Sequence, residues 1–325
     1  MATTSAAVPS SSSIPKRRFG GDEVAYGFTL AFALAILAIT ILLVWELWEK
    51  SAPSRAAFGF GFVTSSMWNP VTDKFGALPF IYGTVITSFV ALLISVPLGV
   101  GAAIYLSELA RPKVSNTLTF LVELLAAVPS VIFGLLAIFT LVPLMRDYIQ
   151  PALKAVLGPV PVIGNLFNGQ IFGVGYFTAG VILAIMTFPF IISVSREALM
   201  AVPREQREAA LALGATQWES TWQAVLPFAK LGIIGSVFLA LARALGETMA
   251  VTMVIGNDPA IHASLFAPGY TIAAVIANEF TEASGTIYLS ALIELGLVLF
   301  VLTMVINGLA QLLIVLTTSK GSRKA

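Results

Sequence analysis

An apolar stretch in the last third of the chain contains two charged residues four positions apart, Arg243 and Glu247. On a helix this spacing brings both side chains to one face, where they can pair. A charged side chain at the centre of a membrane span costs about 2.5–3.5 kcal/mol on insertion scales. The pair therefore indicates one of two things. It either neutralises itself and fixes helix packing, or it forms an anion site in which Arg243 binds the anion and Glu247 holds Arg243 between binding events.

Other polar residues lie in the predicted spans around this pair. Pro129 removes a helical hydrogen bond near the centre of its span, which gives either an ordinary kink or one that turns the Ser130 hydroxyl toward the anion. We also assign Thr248, which follows Glu247, to the anion path. Glu123 and Glu294 are ionisable too, and their distance from the predicted helix centres places them nearer the two interfaces.

The composition indicates a lipid bilayer as the solvent of this chain. Of its 325 residues 58% are hydrophobic and only 11% are charged, whereas a soluble domain has roughly 25% charged residues. A net charge of +1 argues against a nucleic-acid partner, which selects a basic surface. The chain has no Cys and a single His, so we predict no disulfide and no metal site.

Six apolar segments reach the length of about 20 residues that a membrane-spanning helix needs. The sequence therefore predicts an all-α membrane protein with six transmembrane helices. The Lys and Arg residues are concentrated in the loops on the side of the N-terminus, so both termini are expected in the cytoplasm. We predict a disordered cytoplasmic tail over 1–23, a transmembrane domain over 24–318 and a second cytoplasmic tail over 319–325. The predicted spans are 24–45, 78–106, 116–144, 171–195, 228–256 and 286–316.

The longest predicted cytoplasmic loop, residues 196–227, contains the sequence "REAALALGATQWESTWQAVLP". Pro203 suits the first position of a helix, where its missing N–H costs nothing. A first helix over 204–213 would then end before Gly214, which suits the left-handed residue that follows many helices.

A second short helix over 217–226 follows, and Pro227 is expected to end it and open the next span. Thr216 and Glu219 have the spacing of a capping box, which marks a helix start. Three residues are predicted to share one face of this helix: Trp218, Trp222 and Val225. The loop is thus a helix–turn–helix that either rests on the membrane surface or docks a partner protein.

These residues resemble the EAA motif that marks the membrane subunits of ABC importers. Six of its seven positions match at the right spacing, and the position that is usually Ile is Ala224 here. The resemblance implies that the loop is a coupling helix that sits in a cleft of an ATPase subunit. The matching residues are Glu208, Ala209, Ala210, Gly214, Leu226 and Pro227.

Two further stretches resemble the PstC-type subunits of phosphate importers: "RALGETMAVTMVIGN" over 243–257 and "VPSVIFGL" over 128–135. The resemblance covers about residues 20–320 and implies the type I ABC importer permease fold in a bacterial inner membrane. It also implies a set of partners. These are a second, PstA-like permease subunit, a PstB-like ATPase dimer, an extracytoplasmic PstS-like binding protein, and inorganic phosphate as the ion.

No Lys follows a Gly in this chain, so it has no Walker A loop of its own. We therefore expect a transporter subunit that is not an enzyme, with ATP and Mg²⁺ bound by the partner ATPase. Three alternatives stay open at this point. The chain could belong to a permease for sulfate, molybdate or another oxyanion, to an anion transporter driven by an ion gradient, or to a membrane scaffold or sensor.

Overall fold

The structure, a computed structural model, describes residues 21–161 and 163–321. Most of the predicted tails, 1–20 and 322–325, lie outside the described residues. The helices are α1 Gly21–Lys50, α2 Ala52–Phe58, α3 Gly61–Thr64, α4 Leu78–Leu109, α5 Pro112–Ala126, α6 Ser130–Leu157, α7 Gly164–Phe167, α8 Tyr176–Met200, α9 Arg204–Ala212, α10 Gln217–Gly246, α11 Met249–Thr252, α12 Ile272–Glu279 and α13 Thr286–Gly321.

Six helices in the described part of the chain are long and apolar enough to cross a membrane: α1, α4, α6, α8, α10 and α13. This confirms the predicted all-α class and the number of spans. The ends differ from the predicted ones, because α1 begins at Gly21 and α13 continues to Gly321. Hydropathy falls gradually at these ends, whereas the helical hydrogen bonds continue into more polar sequence.

The chain divides into two compact units, residues 1–46 and 47–325. The described part of the first unit is helical, and nearly all of its side chains are exposed. Their apolar character on every face is typical of a helix surrounded by lipid.

The third predicted span, 116–144, is wrong. The helix α5 ends at Ala126, and a new helix, α6, begins at Ser130 and continues to Leu157. Pro129 therefore lies at a helix start, with an extended backbone at ψ 141°, and does not kink the middle of a span. Proline suits the start of a helix because it has no N–H to leave unpaired there.

At the centre of the second unit, α8 packs between α4 and α10. Small residues allow the close approach, as expected where helices associate without a hydrophobic drive. A Cβ added to Gly99 of α4 would lie only 2.7 Å from Ile191 of α8. Between α8 and α10, the buried Ser195 and Ser236 hydroxyls are hydrogen-bonded at 2.7 Å. Hydroxyl pairs of this kind satisfy both polar groups inside an apolar bundle.

The described helices contain four wide π turns: one ends α4 and three interrupt α6 and α10, and each of these three ends two residues before a proline. The turns Ala137–Leu141, Met145–Ile149 and Thr221–Val225 precede Pro143, Pro151 and Pro227 respectively. Proline cannot donate the usual helical hydrogen bond and its ring crowds the preceding turn, so a wider turn accommodates it without ending the helix.

Aromatic residues from the loop before α4 pack on the start of α13 to form a second core. The rings of Phe75 and Tyr288 stack with centres 5.2 Å apart. The carboxylate of Glu279, at the end of α12, accepts hydrogen bonds from Trp68 Nε1 at 2.9 Å and from the Tyr288 hydroxyl at 2.7 Å. The predicted loops 46–77 and 257–285 are therefore ordered around short helices.

Candidate functional site

Arg243 lies in the last turn of α10, three residues before the helix ends at Gly246. Its side chain is half-buried, and it forms no ion pair with any residue the structure describes. The Nε atom is buried without a hydrogen-bond partner there. The guanidinium carbon stands 4.5 Å from the centre of the Phe190 ring of α8. A guanidinium over an aromatic face is stabilised by the ring's quadrupole, yet most of its N–H donors remain available.

The predicted pair of Arg243 and Glu247 is not formed. The prediction assumed one continuous helix over 228–256, but α10 ends at Gly246 and Glu247 has an extended backbone with ψ 127°. The i, i+4 spacing therefore no longer brings the two side chains to one helix face. The Glu247 carboxylate instead faces the start of α11, with Oε1 3.4 Å from the backbone N–H of Ala250. Arg243 consequently lies near a helix end and not at the centre of its helix.

The two remaining predicted path residues lie on elements that pack together. Ser130 begins α6, Thr248 precedes α11, and these two helices are in direct contact. Gly134 of α6 makes the contact possible, because an added Cβ would lie 3.2 Å from the Cα atom of Ala250. The Thr248 hydroxyl is 3.3 Å from the carbonyl of Gly246. The starts of α6 and α11 therefore lie close together, just beyond the end of the helix that contains Arg243.

The other two ionisable residues of the predicted spans lie on other helices. Glu123 is exposed on α5, which does not have the length of a span. Glu294 is buried in α13, with an exposed fraction of 5%.

Phe190 is the site residue that the sequence did not reveal. It is one aromatic residue in a long apolar helix, and its spacing to Arg243 along the chain carries no signal. The antiparallel packing of α8 and α10 brings the two together, in the same register that joins Ser195 to Ser236.

The predicted helix–turn–helix of the coupling loop is present in α9 and the start of α10. Pro203 precedes the first helix and does not form its first turn, and Gly214 has φ +92°, as a helix-ending glycine should. The capping box of Thr216 and Glu219 is complete, with both reciprocal hydrogen bonds. The expected stop at Pro227 is wrong, because the π turn lets α10 run through the proline.

The π turn also rotates the surface of this segment. Trp218 and Trp222 are exposed, with ring centres 6.0 Å apart, whereas Val225 is fully buried. The three residues therefore do not share a face, since the extra residue in the turn changes the helical period. The motif residues Glu208, Ala209 and Gly214 are exposed.

Comparisons with known proteins agree with this architecture. The family described as "Binding-protein-dependent transport system inner membrane component" matches residues 95–315. A phosphate transport system permease protein PstC of Mesorhizobium japonicum is 47% identical over 94% of each chain. One of Xylella fastidiosa is 44% identical over 98% of this chain and 99% of that protein.

The fold itself is shared with a solved transporter. The crystal structure of a bacterial ABC transporter involved in the import of the acidic polysaccharide alginate aligns with 89% of this chain and 96% of the matched chain, at a TM-score of 0.57 and 18% identity. Similarity at this level concerns the fold alone. Together with the sequence matches, it establishes that this chain belongs to the family of binding-protein-dependent transport system inner membrane components, among the PstC-type permeases.

Proposed function

We propose that this chain is the membrane-spanning permease subunit of an ATP-driven importer of inorganic phosphate. The family and the six spans make it a multi-pass membrane protein and a transporter subunit. The choice of phosphate is supported by relatives 44–47% identical over most of the chain, which are named as phosphate transport permeases.

The single structural observation that favours an anion is the state of Arg243. Among the residues that the structure describes, the Arg243 guanidinium has no carboxylate partner, and its Nε is buried without a hydrogen bond. Such a group is expensive in a bilayer unless it faces a path or a ligand. Its forked donors suit the tetrahedral oxygens of phosphate, which it can bind in bidentate fashion.

Around Arg243 we assign the ion path to Ser130, Glu247 and Thr248 as well. The hydroxyls of Ser130 and Thr248 can donate to a phosphate oxygen or accept from a protonated one. We revise one part of the hypothesis: the contact with the Phe190 ring supports a role for Phe190, in place of Glu247, in holding the guanidinium when no ion is bound. A cation–π contact is weak enough to yield to a phosphate, and a transport site must release its ion as well as bind it.

The coupling surface comprises Glu208, Ala209, Ala210, Gly214, Leu226 and Pro227, and we propose that an ATPase dimer docks on it. ATP and Mg²⁺ would bind that partner, because this chain has no Gly-Lys of a Walker A loop. A second, PstA-like permease would complete the path, and a PstS-like binding protein would deliver phosphate to the outer loops. Both termini are then cytoplasmic, as the distribution of Lys and Arg favours.

The test is capture of the native assembly through a tag on this chain, followed by reconstitution into liposomes. We expect an ATPase chain in the eluate and phosphate uptake that requires ATP. Arg243→Gln should lower this uptake about 10-fold or more with the assembly intact, because a hydrogen bond to a charged group contributes roughly 1.5–3 kcal/mol. Uptake that follows an ion gradient without ATP, or that prefers sulfate or molybdate, would contradict the proposal. So would an eluate without any ATPase.

A further inference from the structure

The first helix of the coupling loop, α9, is hydrogen-bonded to the ends of α4 and α8 through one side chain. No residue of α9 is buried, and Arg207 is the only one in this described helix whose side chain forms a hydrogen bond. The Arg207 guanidinium donates from Nε to Glu108 Oε2 at 3.0 Å and from Nη2 to Glu108 Oε1 at 2.8 Å. This is the forked, bidentate geometry that only arginine offers to a carboxylate.

The same guanidinium also reaches the end of α8. It donates to the carbonyl of Leu199 at 2.7 Å and to the carbonyl of Val202 at 2.6 Å. Carbonyls at a helix C-terminus lack partners within the helix, so a cation there both satisfies them and complements the helix dipole. One side chain of α9 therefore joins the last turn of α4, which contains Glu108, to the last turn of α8.

The surroundings of the Arg207–Glu108 ion pair strengthen it. The side chains of Arg207 and Glu108 are 22% and 8% exposed, so water screens the pair only in part. Directly beside it, α4, α8 and α10 pack in one apolar core that includes Leu199, Val202 and Val225. Removal of one partner from a half-buried charge pair leaves the other uncompensated, which is more costly than loss of a surface pair.

The coupling loop thus has two connections to the spans, and they lead to the two helices of the candidate ion site. The second half of the loop continues without a break into α10, which contains Arg243. The first half is joined by Arg207 to α8, which contains Phe190. A displacement of the loop therefore acts on both helices that form the Arg243–Phe190 contact.

We infer that Arg207 and Glu108 form a coupling clasp that transmits movement of the coupling loop to α4 and α8. This inference rests on the proposed function as an ATP-driven permease. Without the clasp, no side-chain hydrogen bond of α9 reaches α4 or α8, so a docked ATPase would act on α8 only indirectly, through its packing against α10. Docking would persist, whereas the transport obtained from each ATP would fall.

The experiment compares variants in the complete captured complex, reconstituted into liposomes with its own binding protein. Glu108→Gln keeps the shape but loses the charge, Arg207→Lys keeps the charge but loses the fork, and Arg207→Gln loses both. Arg204→Gln is the matched control, since Arg204 is exposed on the same helix and forms no side-chain hydrogen bond there. The readouts are ATPase co-purification, the rate of ATP hydrolysis with and without binding protein, and phosphate taken up per ATP.

We expect Arg207→Gln and Glu108→Gln to retain the ATPase and its basal rate of ATP hydrolysis. Both should lower the phosphate taken up per ATP, and the stimulation of hydrolysis by the binding protein, about fivefold or more, because a charged hydrogen-bonded pair is lost. Arg207→Lys should lie between these variants and Arg204→Gln, which should match the parent.

Coupling within twofold of the parent in both Gln variants would overturn the inference. Failure of both to assemble would overturn it as well, because the pair would then serve structure alone. Absence of ATP-dependent phosphate uptake in the parent would contradict the proposed function instead, and the stimulation of hydrolysis would still test the clasp.

Discussion

The guanidinium carbon of Arg243 lies 4.5 Å from the centre of the Phe190 ring, across the interface of two antiparallel helices. This contact replaces the carboxylate partner that the sequence suggested, and it has a different consequence. A carboxylate would cancel the charge of Arg243 and compete with an anion for the same donors, whereas an aromatic face stabilises the cation and leaves its donors available. The Arg243 guanidinium therefore keeps its charge and its available donors in the absence of an ion.

Replacement of Phe190 by Leu should weaken transport without preventing assembly. The substitution keeps apolar volume but removes a cation–π contact worth about 0.5–2 kcal/mol, which corresponds to a change of roughly 2- to 30-fold. We expect phosphate uptake to fall within this range in reconstituted complexes. Phe190→Tyr should retain most of the uptake, because its ring offers a similar face.

Phe188→Leu is the matched control for this substitution, since it makes the same change on the same helix at a ring that contacts no described cation. Equal losses from Phe188→Leu and Phe190→Leu would show that general packing of α8, and not the placement of Arg243, explains the effect.

The helix-ending geometry at Gly214 gives a prediction about docking. Gly214 has φ +92°, and a Cβ there would meet no atom within 4 Å, so substitution introduces backbone strain alone. An L-residue in the left-handed region costs about 1–2 kcal/mol. We expect Gly214→Ala to reduce co-purification of the ATPase several-fold, while the amount of inserted permease is unchanged.

Gly235→Ala provides the comparison, because Gly235 lies within a membrane helix with equal space around it and without a positive φ. Alanine favours the helix there, so the complex should be unaffected. A Gly214→Ala complex as complete and as active as the Gly235→Ala complex would remove the argument that this turn shapes the docking surface.

The contact between α6 and α11 should prove sensitive to the size of residue 134. Valine at this position would meet the Sδ atom of Met253, which can move, and the backbone of Ala250, which cannot move as freely. We expect Gly134→Val to separate the two helices and displace Ser130 and Thr248. Phosphate uptake should fall about 10-fold or more, since overpacking typically costs 1–3 kcal/mol. Gly101→Val, at a glycine with nothing within 4 Å, should preserve uptake. Similar uptake from both would indicate that this contact does not position the path.

The sequence was sufficient for the features that depend on local chemistry. Apolar length predicted six spans, and the spacing of Thr216, Glu219 and Gly214 predicted the coupling loop, because caps and left-handed glycines are determined within a few residues. Two of the errors share one cause. Hydropathy alone cannot distinguish one long helix from two helices with a break, so the ends at Ala126 and Gly246 were missed and the helical phase beyond them was wrong.

Contacts between distant segments could not be obtained from one sequence. Phe190 and Arg243, or Glu108 and Arg207, are separated by many residues and meet only because α4, α8 and α10 pack together. The π turn at Thr221–Val225 is a further example, since Pro227 alone suggested a helix end. The turn accommodates Pro227 without ending α10, and Val225 within it is buried in the apolar core.

Glu247→Gln separates the observed arrangement from the pair that the sequence suggested. In the structure Glu247 forms no ion pair or hydrogen bond with Arg243. Its carboxylate accepts a hydrogen bond from the backbone N–H of Ala250, and a Gln side-chain oxygen can accept the same bond. We therefore expect Glu247→Gln to retain assembly and to keep uptake within about threefold of the parent, which corresponds to about 0.7 kcal/mol, since the Gln side chain preserves this hydrogen bond. Arg243→Gln should be far more severe.

If Glu247 and Arg243 instead functioned as a neutralising pair, each single substitution would leave an uncompensated charge in the membrane. Both single variants would then weaken the assembly to a similar extent, and the double variant would recover it. The amount of intact complex recovered from the two single variants and the double variant therefore decides between the arrangements.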